Sequence, residues 1–144
     1  MPIVGFNFER ILAEKKSPIN KELRIKPNVV IKDVKIEEAN LGGDKKQKLL
    51  KILFEYQADY QPKIGNIEIS GHLLYTGVQK EIEKIVDKWK KDKKMNDDIL
   101  LQFLNTVLLR CNIKALSLSQ EVNLPPQLRL PTINKKVDPK DYIG

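Results

Sequence analysis

The chain has 144 residues, with 26 Lys and Arg against 19 Asp and Glu and a net charge of +7, a length that suits one domain. One cysteine, Cys111, excludes an internal disulfide and a Cys-built zinc site, and one histidine, His72, excludes a His-pair metal motif. No run approaches eighteen apolar residues and the start Met1-Pro2-Ile3-Val4-Gly5 lacks a secretory pattern, so neither membrane insertion nor export is expected, and a lone reduced thiol suits the cytoplasm.

The first eighteen residues hold Ile3, Val4, Phe6, Phe8, Ile11 and Leu12, an edge strand or a packed arm. Leu23 and Ile25 alternate, as do Val30, Val34 and Ile36 with a break at Lys32, while Pro27 argues against an uninterrupted central strand across 19–36. A loop is expected from Glu38 to Asp44. Its Gly42-Gly43 lacks the strand-to-helix context and Gly-Lys-Ser spacing of a phosphate loop.

Residues 49–60 give the clearest strand. Leu50, Ile52, Phe54, Tyr56, Ala58 and Tyr60 share one face, and Leu49, Lys51, Leu53, Glu55, Gln57 and Asp59 share the other. A turn across 61–66 leads to a second alternating run, with Ile67, Ile69, Gly71, Leu73 and Tyr75 on one side, which predicts an antiparallel hairpin. Thr76 and Gln79 then fit a capping box, and Val78, Ile82, Ile85, Val86 and Trp89 recur at helical spacing before a lysine run to Lys94. Lysines at a helix C-terminus suit the macrodipole and need no partner.

A second helix opens at Asn96 with Asp97 and Asp98 in its first turn, and it is predicted to reach Ser117 or Ser119. Leu101, Leu104, Leu108, Cys111, Ala115 and Leu118 form one apolar stripe. Leu109, Ile113 and Leu116 fall on roughly the opposite side. Two apolar faces mean either a helix central to a monomer or one that packs on its own sheet and on a second subunit. The short chain favours the second, with Leu109, Ile113 and Leu116 as the oligomer interface. Pro125, Pro126 and Pro131 then impose an extended arm, anchored by Leu124, Leu128, Leu130 and Ile133. Asn134 to Gly144 reads as a polar, frayed tail after a single domain over 1–133.

No chemistry-bearing constellation emerges. His72 has no Ser or Cys partner by motif, Cys111 lies in an apolar stripe, and Asp97 and Asp98 are explained by the cap. No catalytic residue, metal or cofactor is expected. Arginine is scarce (Arg10, Arg24, Arg110 and Arg129) and the lysines are not interleaved with aromatics, so nucleic-acid binding is the weaker reading of the charge. Trp89 belongs to the core or lines a groove.

The order of elements resembles the SecB export chaperones. Asp98 to Asn112 is similar to that family's long helix, and Val122-Asn123-Leu124-Pro125-Pro126-Gln127-Leu128-Arg129-Leu130-Pro131-Thr132-Ile133 to its Phe-Pro-Pro/Gln-Leu-Asn-Leu segment. Phe6 to Leu12 resembles its start. The resemblance implies an α+β fold with a four-stranded antiparallel sheet and two C-terminal helices on one face. It also implies a dimer or dimer of dimers, and an ATP-independent holdase that binds unfolded or pre-secretory polypeptides in an apolar groove. By position, that groove would draw on Phe54, Tyr56, Tyr75, Trp89, Leu124 and Leu128. The family is acidic and passes clients to a SecA-type motor, whereas this chain is basic, which puts that partner in doubt. A basic nucleic-acid-binding domain and a protein–protein adaptor remain the alternatives.

Overall fold

The computed structural model describes residues 1–40, 42, 43, 45–133 and 140. Four strands, β1 (Ile3–Lys15), β2 (Arg24–Ala39), β3 (Gln47–Gln61) and β4 (Gly65–Tyr75), are followed by helices α1 (Gln79–Asp92) and α2 (Asp97–Glu121). The strands form one antiparallel sheet in the order β1-β4-β3-β2. Both helices lie on one face of it, as the buried alternation of β3 and β4 requires. The expected α+β architecture is therefore the observed one.

Period-two patterning decides which side is covered. Leu50, Ile52, Phe54, Tyr56, Ala58 and Tyr60 of β3 are buried, as are Ile67, Ile69, Leu73 and Tyr75 of β4. Their alternates are half-exposed polar residues with a few leucines, so the opposite face meets water. The β3–β4 hairpin is in register from Leu50↔Tyr75 to Tyr60↔Gly65. Gly71 is obligatory for space, because a β-carbon there would strike the carbonyl oxygen of Asn7 on β1. At the same place β1 shifts register between Phe8 and Arg10.

Pro27, which argued against a central strand, sits in an edge strand running from Arg24 to Ala39, where a missing N–H is tolerated. Three sequence expectations are corrected here. The break at Lys32 is a register shift between Ile31 and Asp33 and not a strand end. The capping box does not form: α1 begins after Val78, which makes no side-chain cap bond, while Thr76 is held to the end of the sheet by its N–H donating to the Pro2 carbonyl, 3.1 Å. Glu38 and Ala39, read as loop, belong to β2. The loop positions Leu41 and Asp44 and the tail over 134–144, apart from Lys140, lie outside the described residues.

The long helix starts and stops for identifiable reasons. Asn96 caps α2 by accepting from the Asp98 N–H, 2.9 Å. At the other end Asn123 takes a left-handed conformation, φ 59°. The Leu124 N–H donates to the Ser119 carbonyl (2.8 Å) and the Asn123 N–H to Gln120 (3.3 Å), a Schellman pattern with Asn in the usual glycine position. This carries the helix two residues past Ser119, to Glu121. By length and composition α2 would also span a bilayer, which inspection for unbroken apolar runs does not detect. In this fold it lies on the sheet with Phe103, Val107, Cys111 and Ala115 fully buried.

Candidate functional site: the open face of the long helix

The groups that carry chemistry come first. His72 lies on the open face of the sheet, between Glu9 (2.5 Å from Nδ1) and Asn7 (3.2 Å from Nε2) on β1. Both ring nitrogens are thus engaged by the neighbouring strand, which gives the histidine a strand-pairing role. Cys111 is wholly buried, and burial pushes its thiol up to about 12, far from a reactive thiolate. No cluster of three His, Cys, Asp or Glu side chains able to hold a metal occurs among the described residues.

The six groove candidates separate. Phe54, Tyr56 and Tyr75 are buried, and Trp89 and Leu124 nearly so; only Leu128 is open. These five side chains fill the core of this chain, which corrects the expectation that they line an open channel. The physical reason is the arm that follows α2. Leu124 is seated against Gly65, where an added β-carbon would meet its methyl groups at 3.2–3.3 Å. The Tyr60 hydroxyl donates to the Pro125 carbonyl, 2.6 Å. Gln127, itself buried, donates from Nε2 to the Asn112 carbonyl, 2.8 Å. Tyr56 donates its hydroxyl to Asn112 Oδ1, 2.8 Å. The chain's own arm therefore lies beside α2 where the resemblance placed a client. Burial raises the Tyr56 and Tyr60 hydroxyls to about 12. The hydroxyl of Tyr75 and the indole N–H of Trp89 are buried without a partner among the described residues, at a cost in stability.

The three interface candidates behave differently. Leu109 is 64% exposed and Ile113 61%, with Leu116 half-buried one turn on. Leu101, at 59%, and Leu108, at 37%, flank them. On the arm, Leu128, Leu130 and Ile133 are exposed as well, and Leu128 directly follows the Gln127 that is bonded to α2 at Asn112. Isolated exposed leucines are ordinary; a stripe of them on one helix face, extended by an arm clamped beside it, is not. Sequence reasoning found Leu109, Ile113 and Leu116 from periodicity, and it missed Leu101 and Leu108 by assigning them to the buried stripe.

No family model and no curated protein matches this sequence. Among solved structures, a SecB-like chaperone of Mycobacterium tuberculosis, in complex with a ChAD peptide from the HigA1 antitoxin, is similar in fold at 10% identity and a TM-score of 0.47, over 93% of this chain and 91% of that one.

The open face of the sheet carries paired charges. On the open sheet face Arg10 meets Glu68 (2.7 Å), Lys32 meets Glu55 (2.9 Å) and Lys51 meets Glu37 (3.5 Å). The Lys32 contact, with a hydrogen bond from Gln57, holds the Glu55 carboxyl below its usual range. A surface hollow of about 460 Å³ lies near the β3–β4 turn between Lys16, Asp59, Lys63 and Glu68, a mixed polar lining with no nucleophile–base pair.

Proposed function

We propose that this protein is an ATP-independent holdase that binds unfolded polypeptide segments on the open face of α2 and on the adjoining arm. One observation carries the reading: Leu101, Leu108, Leu109, Ile113 and Leu128 stand exposed together although the chain has a complete core beneath them. Apolar area left in water by a folded chain is free energy available to a partner, at about 25 cal/mol per Å² before ordering costs. An unfolded client offers apolar side chains in extended order, and a helix face running about three turns from Leu101 to Ile113 accepts them without a shaped pocket. The buried thiol fits a reducing compartment, and we place the activity in the cytoplasm. Hand-over to a SecA-type motor through an acidic docking face has no support in the surface, since the carboxylates Glu37, Glu55 and Glu68 are each paired with a cation.

The test is aggregation of two unrelated denatured proteins with this chain at equimolar ratio. Suppression that resists added salt is expected, because burial of apolar area is not screened. Unchanged aggregation of both clients at excess chaperone refutes the reading. Steep loss of binding to a polyanion with rising salt, without any effect on aggregation, would install the nucleic-acid alternative. Co-purification with one folded protein alone would install the adaptor.

The same exposed pair, Leu109 and Ile113, also supports a second reading, in which the face is covered by another copy in a dimer or dimer of dimers. A mass by light scattering equal to one chain excludes it, and a doubled mass that falls on Leu109→Glu establishes it.

A further inference from the structure

We infer that the hollow where β2, α1 and α2 meet is a binding site for a small apolar carboxylate of the aliphatic-acid class. Its volume is about 400 Å³, within the range of small-molecule sites. Half of its lining is apolar: Ile31 from β2, Trp89 from α1, Met95 from the connection between the helices and Leu100 from α2. It uses none of Leu101, Leu108, Leu109, Ile113 and Leu128, so it lies beyond the client face proposed above.

Only four residues, 93–96, join α1 to α2. Lys93 takes a left-handed conformation, φ 57°, and its N–H donates to the Trp89 carbonyl, 2.9 Å, which ends α1. The Lys93 ammonium then lies over the Trp89 ring, 5.4 Å from its centroid. Met95 is buried in the same connection. Ile31 comes from the point where the edge strand β2 shifts register against β3. Trp89 is left 9% exposed, and its indole N–H has no partner among the described residues. A buried donor without an acceptor is costly, and a ligand oxygen seated in the hollow supplies one.

The other half of the lining is charged and unequal: Lys88, Lys93 and Lys94 against Asp97. None of the three ammonium groups has a carboxylate within 4 Å among the described residues. The acids nearby are engaged by the backbone. Asp92 accepts from the Lys94 N–H, 3.1 Å, and Asp97 stands in the first turn of α2, where the helix dipole favours it. An aliphatic chain seated on Ile31, Trp89 and Leu100 binds by burial, its carboxylate meets the ammonium groups, and the Trp89 N–H gains an acceptor. An amine of the same length meets like charge, and an alcohol gains the burial with one neutral bond.

Trp89 is the only tryptophan of the chain, so its fluorescence reads the site directly. The test titrates the full chain with decanoate, decanol and decylamine, followed by fluorescence and calorimetry. Decanoate is expected to shift the emission and to bind about tenfold more tightly than decanol, the sum of a few exposed charge contacts. Each methylene from hexanoate to decanoate should add about two- to fourfold. In the Lys93→Gln, Lys94→Gln double variant the gap to decanol should close to within about threefold, while Leu109→Glu with Ile113→Glu should leave decanoate binding unchanged. An emission that decanoate does not alter, or equal binding of decanoate and decylamine, overturns the inference. So does binding that disappears with Leu109 and Ile113, which places the ligand on the α2 face. None of these outcomes touches aggregation suppression, so the holdase reading is tested separately. A leucine-rich peptide with a free C-terminus, set against its amide, separates the sources of the carboxylate: a free end that displaces decanoate assigns polypeptide ends to the hollow, and one that does not leaves free acids as its ligands.

Discussion

Replacing Leu109 and Ile113 together by Glu separates a binding face from a structural one. Fully burying a Leu or Ile side chain is worth about 1.5–3 kcal/mol. With 64% and 61% of these two still in water, roughly 1–2 kcal/mol each is left for a partner to realise. Losing both removes about 2–4 kcal/mol of client binding, or about thirtyfold to several hundredfold in affinity. The fold should not notice. Both sites lie on the water side of α2, opposite the buried Phe103, Val107, Cys111 and Ala115, and Glu is as good a helix former as the residues it replaces, so each change should cost within about 0.5 kcal/mol. The assay pairs aggregation suppression with thermal unfolding followed by circular dichroism. Ile19→Glu, at a residue 47% exposed in the β1–β2 loop, supplies the control for a lost surface apolar group. Suppression that survives the double change to within threefold refutes the argument, and so does equal loss in the control. A midpoint that drops by tens of degrees would place the face in the core instead.

Gly71→Ala should detach β1, since the added carbon meets the Asn7 backbone; a loss of several kcal/mol in denaturant unfolding is expected, and a change below about 1 kcal/mol would show that β1 yields without cost. Tyr60→Phe removes the bond to the Pro125 carbonyl and should cost about 0.5–1.5 kcal/mol. Its distinctive mark is faster hydrogen exchange at Leu124 and Gln127, and unchanged exchange there would mean that the arm is held otherwise. Alkaline unfolding follows from the buried hydroxyls and thiol. Unfolded, Cys111 ionises near 9.0 and Tyr56 and Tyr60 near 10.0, while in the fold all three are raised to about 12. The unfolded chain therefore sheds protons first, so stability is at its full value below pH 9 and falls as pH climbs from there toward 12, by about 1.4 kcal/mol per pH unit for each group engaged. Native tyrosinate absorbance rising with a midpoint near 10 for all the tyrosines would contradict this.

Much of this was legible in the sequence, and the parts that were not share a cause. The hairpin of β3 and β4 could be read because a strand with one wet face must alternate, and the six residues from Leu50 to Tyr60 do so without a break. The opposed position of Leu109 and Ile113 was equally legible, because 100° per residue fixes it. What alternation does not tell is which layer covers a face. Phe54, Tyr56 and Tyr75 have the same pattern under an open groove as under a helix and an arm. The contacts that settle the matter, Tyr60 with Pro125 and Gln127 with Asn112, join residues 65 and 15 positions apart and leave no local signature. Thr76 misled for a related reason. Its spacing to Gln79 satisfies a capping box, but the backbone at Thr76 is still committed to the sheet, and tertiary pairing overrides a local motif.

The arm explains how one chain can hold a full core and still expose a binding face. Without it, the Tyr60 hydroxyl would lose its acceptor at Pro125, and the sheet beside α2 would need a client or a second subunit to cover it. With it, Leu124 and Gln127 close that flank, and the apolar surplus moves outward to Leu109, Ile113 and Leu128. The exposed stripe is then no defect of packing, because nothing beneath it is left to fill. Neither is the stripe required for folding, since its side chains contribute little to the core. Apolar groups that the fold does not need, kept along one side of a helix, are what the proposed client contact would use, and a chain whose fold survives the loss of Leu109 and Ile113 while its clients aggregate would support that proposal over a structural role.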